Sequence, residues 1–93
     1  MNGLGNVLRK QGELARARGC YERALVIDEM TYGRDHFTVG MRHDNLGYVL
    51  EAMGDFKGAR EHFEIALPYF QKRWGRNHQY TKNIRSKLEL LPK

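Results

Sequence analysis

The sequence predicts an all-α solenoid of five helices, built as two helical hairpins followed by a C-terminal capping helix. Three observations carry that expectation. The chain matches itself at an offset of 42 residues, apolar residues within each copy recur at steps of three and four, and a Gly-acid pair stands in mid-copy where a hairpin needs its turn.

Between the first two copies the offset yields thirteen identities: Leu4/Leu46, Gly5/Gly47, Val7/Val49, Leu8/Leu50, Gly12/Gly54, Ala17/Ala59, Arg18/Arg60, Glu22/Glu64, Ala24/Ala66, Leu25/Leu67, Gly33/Gly75, Arg34/Arg76 and His36/His78. Glu13/Asp55, Tyr21/Phe63, Tyr32/Trp74 and Asp35/Asn77 are conservative pairs between them. Each copy opens with a short stripe, Leu4, Val7, Leu8 and then Leu46, Val49, Leu50, Met53. A longer stripe follows: Leu14, Ala17, Tyr21, Ala24, Leu25, and its counterpart Phe56, Ala59, Phe63, Ala66, Leu67, Phe70, Trp74. Spacing of this kind places the apolar side chains on one helix face.

Gly12-Glu13 and Gly54-Asp55 separate the stripes, the glycine suited to end one helix and the acid to cap the next. Glycine inside a helix costs about 1 kcal/mol relative to alanine, so Gly5 and Gly47 imply a close approach of neighbouring helices. Pro68 removes a backbone donor from the second long helix and is expected to bend it. After the second copy, Ile84, Leu88 and Leu91 mark a last helix, with Leu88 in register with Leu46. One domain over 1–93 is expected, with repeat one at 1–36, repeat two at 37–78 and the capping helix at 79–91.

The 93 residues suffice for a modest core, and 41% apolar with 29% charged residues is the balance of a folded globular chain. No apolar run approaches the ~20 residues of a membrane span, and no signal-like segment follows Met1, so the expected compartment is the cytoplasm with no membrane partner. A single cysteine, Cys20, offers no internal disulfide. Charge is uneven: residues 1–71 hold nine Lys/Arg against ten Asp/Glu, residues 72–93 seven against one. Nucleic-acid binding through this basic C-terminal patch is a second alternative function, though nucleic acid is not the expected partner.

The pattern Leu4-Gly5, Leu8, Gly12, Ala17, Tyr21, Ala24, repeated as Leu46-Gly47, Leu50, Gly54, Ala59, Phe63, Ala66, resembles the tetratricopeptide repeat (TPR). The 42-residue period and the Gly-x-[Asp/Asn]-His linker are similar to the variant found in kinesin light chains. That variant usually carries Pro after the His, where this chain has Phe37 and Gln79.

The linkers YGRDH and WGRNH pair a histidine with a neighbouring polar residue, the one arrangement here that suggests catalysis or metal binding. Asp35 becomes Asn77 while the rest persists, an exchange a catalytic carboxylate would not tolerate and a helix cap does. The linkers therefore read as joints, capped by Asp35 and Asn77, and the protein as no enzyme, without cofactor or metal. His43 and His62 stand isolated in the sequence, packed or solvated, and the aromatics Tyr32, Phe63, Phe70 and Trp74 read as core.

The TPR resemblance implies that the first helix of each hairpin lines a concave groove that binds a peptide or protein segment. Away from the apolar stripes, those helices carry Asn6 and Arg9, then Met41, Asp44, Asn45 and Tyr48, then Asn83 and Lys87. Amides pair with both N–H and C=O of an extended segment and a cation with a carboxylate, which points to an acidic segment. Asn6, Asn45 and Lys87 match places where peptide-clamping TPRs carry their asparagines and cation, while Asn2 and Asn83 replace two further cations. The alternative is a structural unit that self-assembles through its unfinished N-terminal repeat as a homo-oligomer, or a fragment of a longer array.

Overall fold

The computed structural model describes the backbone of residues 3–92 and the side chains of residues 10–92. Over that span there are four α-helices: α1 (Gly3–Tyr32), α2 (Phe37–Met53), α3 (Phe56–Trp74) and α4 (Gln79–Leu90). Helices adjacent in sequence pack on one another, α1 on α2, α2 on α3 and α3 on α4. The order is that of a helical repeat.

The expected fifth helix is missing because α1 runs straight through Gly12-Glu13 as 30 residues of unbroken helix. The second copy shows what a turn requires. Gly54 takes φ 88°, its N–H bonds the Glu51 carbonyl at 3.0 Å, and the Asp55 N–H bonds the Leu50 carbonyl at 2.8 Å. This pair of bonds closes α2 in a Schellman motif. Asp55 Oδ1 then accepts from the Gly58 N–H at 2.9 Å and opens α3. A Cβ at position 58 would lie 2.6 Å from Asp55 Oδ2, so a side chain there would make the capping carboxylate shift.

The first copy has neither part. Glu13 stands at the place of Asp55 with an extra methylene, and Arg16 at the place of Gly58. Gly12 has no positive φ, and the run Glu13-Leu14-Ala15-Arg16-Ala17 consists of strong helix formers. Without a cap to stop it, the helix continues.

The linkers behave as joints, but the cap is the histidine rather than Asp35 or Asn77. His36 Nδ1 accepts from the Thr38 N–H and His78 Nδ1 from the Tyr80 N–H, both at 3.1 Å. Gly33 and Gly75 take φ 84° and 86°, and Tyr32 stacks on His36 at 4.5 Å as Trp74 does on His78 at 4.7 Å. Asp35 and Asn77 are exposed in the turn. The linker aromatics therefore fix the capping imidazole, and neither Tyr32 nor Trp74 is buried core.

The core lies between α2, α3 and α4: Leu50, Ala59, Phe63, Ala66, Phe70, Ile84 and Leu91, with Phe37, Met53 and Leu88 against it. Gly47 explains itself here, since a Cβ would meet the Phe63 ring at 2.6 Å. Gly40 lies still closer to Tyr69. α1 is tied to α2 by Asp28 and Arg42, whose Nε and Oδ2 are 2.8 Å apart. Helix α3 passes through Pro68 without ending, and the exposed Glu64 carbonyl residue is where the lost donor falls. At the far end, Arg60 of α3 donates to the carbonyl oxygen of Leu88 in the last turn of α4 and to those of Leu91 and Pro92 just beyond it.

Candidate functional site

Helices α2 and α4 share one face, and side chains join them across it. Lys87 Nζ of α4 lies 2.9 and 3.1 Å from the two carboxylate oxygens of Glu51 of α2. The same ammonium sits 5.4 Å from the centre of the Tyr48 ring. Tyr48 in turn packs edge-on against the buried Phe63 at 5.1 Å. One end of the face is thus closed by a paired charge.

At the other end a pocket of about 360 Å³ opens between α2, α3 and α4. Phe37, Met41, Asp44 and Asn45 line it from α2, Phe70 and Trp74 from α3, and Tyr80 from α4. The rings brace one another: Phe37 meets Phe70 edge-on at 4.9 Å and Trp74 at 6.3 Å, and Trp74 meets Tyr80 at 5.7 Å. Such edge-to-face contacts hold the rings in position.

Asp44 is the charged member of the lining. Its Oδ1 is buried with no hydrogen-bond partner. Burial pushes its carboxyl up to about 6. Nearby cations are engaged elsewhere: Arg42 with Asp28, Lys87 with Glu51, and Arg73 over the rings of Phe37 and Trp74 at 5.8 and 5.3 Å.

Of the residues expected in the groove, Met41, Asp44 and Asn45 come together in this pocket, and Tyr48 and Lys87 lie along the same face. Asn83 accepts a hydrogen bond from Gln79 Nε2 at 2.7 Å, one turn away on α4. Asn2, and the side chains of Asn6 and Arg9, lie outside the described residues. The sequence reading missed Phe37, Phe70, Trp74 and Tyr80, because aromatics at helix spacing and in a linker read as packing. Phe37 and Tyr80 carried a signal, each an aromatic within two residues after a capping histidine.

His43 and His62 are not isolated. Their Nδ1 atoms lie 2.9 Å apart and their rings stack at 5.1 Å between α2 and α3. Among the described residues no group of three or more His, Cys, Asp or Glu is placed to hold a metal, and no helix is long and apolar enough to cross a membrane.

Stacked antiparallel helices with glycine-dependent close approaches and duplicated joints define a helical repeat protein. A sequence model of the tetratricopeptide repeat matches residues 1–72, and the chain belongs to that family. A search for similar curated proteins finds no match. The family is one of protein-interaction and scaffold modules.

Proposed function

We propose that the protein is a non-enzymatic interaction module that binds a peptide or protein segment along the face shared by α2 and α4. One observation carries the reading. Two side chains that line the pocket on that face are not consumed by the fold: Met41 is exposed, and Asn45 makes no hydrogen bond among the described residues. A cleft with apolar walls and a few polar groups is the usual form of a recognition site. Cytoplasmic location belongs to the same proposal.

The test is comparative capture from cell extract with the wild-type chain, Asn45→Ala with Met41→Asp, and the control Lys57→Ala, which does not line that pocket. Partners lost with the groove variant and kept by the control support the reading. Equal capture by all three overturns it.

A second reading, self-assembly, is favoured by α1, whose Val26, Ile27 and Met30 are 56%, 60% and 82% exposed. Apolar side chains clustered in this way suit a packing partner. Light scattering that finds only monomer at micromolar concentration removes it.

A further inference from the structure

We propose that the pocket between α2, α3 and α4 receives a cationic side chain, lysine or arginine, of an extended partner segment; this rests on the groove reading above. The first argument is the unmatched acid. A carboxylate taken from water without a partner is costly, and folded chains pair such groups or neutralise them. Asp44 Oδ1 is buried and unpaired, although Arg42 lies on the same helix and Arg73 and Lys87 on the neighbouring α3 and α4. Each of those cations has other company, which leaves Asp44 open to a charge from outside.

The second argument is the wall. Phe37, Phe70, Trp74 and Tyr80 surround the same space as Asp44. Ring faces attract a cation and repel an anion, and the attraction strengthens as water is excluded. These rings already hold one cation, since Arg73 lies over Phe37 and Trp74. The apolar stem of a lysine or arginine would lie along Met41 and Phe70 while its head reached the carboxylate.

The sign of the groove is the third. Lys87 is held by both oxygens of Glu51, so that pair is neutral, and Asp44 is the charged residue among those lining the pocket. An acidic segment would have to break the Lys87–Glu51 pair and pass Asp44. A basic one finds its counter-charge in place. Arg73 opposes it only as an exposed, screened charge.

Trp74 is the chain's only tryptophan and lines the pocket, so its emission reports occupancy. The experiment titrates capped Ser/Gly nonapeptides with Arg, Lys, Ser or Glu at three alternate positions into the wild-type chain, Asp44→Asn and Asn45→Ala. Circular dichroism establishes that each variant folds. The expected result is a Trp74 shift with the Arg and Lys peptides, weakened about tenfold or more by Asp44→Asn. Tighter binding of the Glu peptide, weakened by Asn45→Ala, overturns the cation assignment and leaves the groove reading standing. Arg-peptide binding that is unchanged by Asp44→Asn overturns the pocket. If no peptide shifts Trp74 or the amide resonances of α2 and α4 at millimolar concentration, both readings fall.

Discussion

His43 of α2 and His62 of α3 share a single proton across the interface between their helices. With Nδ1 atoms 2.9 Å apart, one ring must donate and the other accept, so the two cannot both be protonated without losing the bond. Burial lowers both pKa values from 6.5; His62 lowers that of His43 further against opposition from Glu29, and Glu61 and Glu22 oppose the lowering at His62. The unfolded chain therefore takes up protons first as the pH falls. The pair's stabilisation is complete above pH 6.5 and is lost as the pH falls through the lowered folded values. Urea midpoints should drop between pH 7.5 and pH 5.5, and the drop should be smaller in His62→Gln. Equal drops would show that the pair is not the cause.

Asp44 works in the opposite sense. Its carboxyl rises from 3.8 to about 6 on folding, so the folded chain holds this proton more tightly than the unfolded one. That contribution is fully present below pH 3.8 and lost as the pH rises through about 6. At pH 7 the ionised group is a cost. Asp44→Asn should stabilise the protein by about 1 kcal/mol at pH 7, after allowance for its partial exposure, with the gain fading toward pH 4. Denaturation at both pH values checks the sign.

Gly12 and Gly54 occupy equivalent repeat positions and should answer alanine in opposite ways. Gly12 is exposed in mid-helix with nothing within 4 Å of an added Cβ, so Gly12→Ala should stabilise by about 1 kcal/mol. Gly54 sits at φ 88°, where a side chain is strained, and Gly54→Ala should destabilise by about 1 kcal/mol. Thermal melts of the two variants decide whether α1 is continuous; a destabilised Gly12→Ala would mean a turn there.

Capping makes a parallel prediction at the joints. His78→Ala removes the acceptor for the Tyr80 N–H and should cost about 1 kcal/mol, while His78→Asn should recover most of it. Asn77→Ala, at an exposed turn position, should stay within about 0.5 kcal/mol of wild type. Guanidinium denaturation of the three variants ranks them.

Gly47→Ala tests the close approach of α2 and α3. The added Cβ would meet three carbons of the Phe63 ring at 2.6 to 2.8 Å, and Phe63 is fully buried. Overpacking of about 1–3 kcal/mol should outweigh the gain in helix propensity. Isothermal denaturation should show the loss.

The repeat, the close-packing Gly47 and the joints were legible because each imposes a residue type at a fixed place. Two copies of a linker exposed its role, since a site cannot exchange Asp35 for Asn77 and a turn can. Which linker residue caps the helix was not legible: asparagine and aspartate are commoner caps than histidine, and only the stacking of Tyr32 and Trp74 on His36 and His78 selects the ring. The expected turn at Gly12 failed because glycine permits a helix end without enforcing one. Half of the pocket was invisible for a different reason. Phe70, Trp74 and Tyr80 lie on two other helices, and no periodicity along one helix reports what a neighbour contributes.

The straight course of α1 has a consequence for how such chains change shape over time. At about 1.5 Å per residue its 30 residues reach about 45 Å, whereas a turn at Gly12 would fold roughly the first 15 Å back on the remainder. Glu13→Asp would supply the capping residue that the first copy lacks, at a position exposed on the present helix. Rod and hairpin would then differ by changes at the surface of α1.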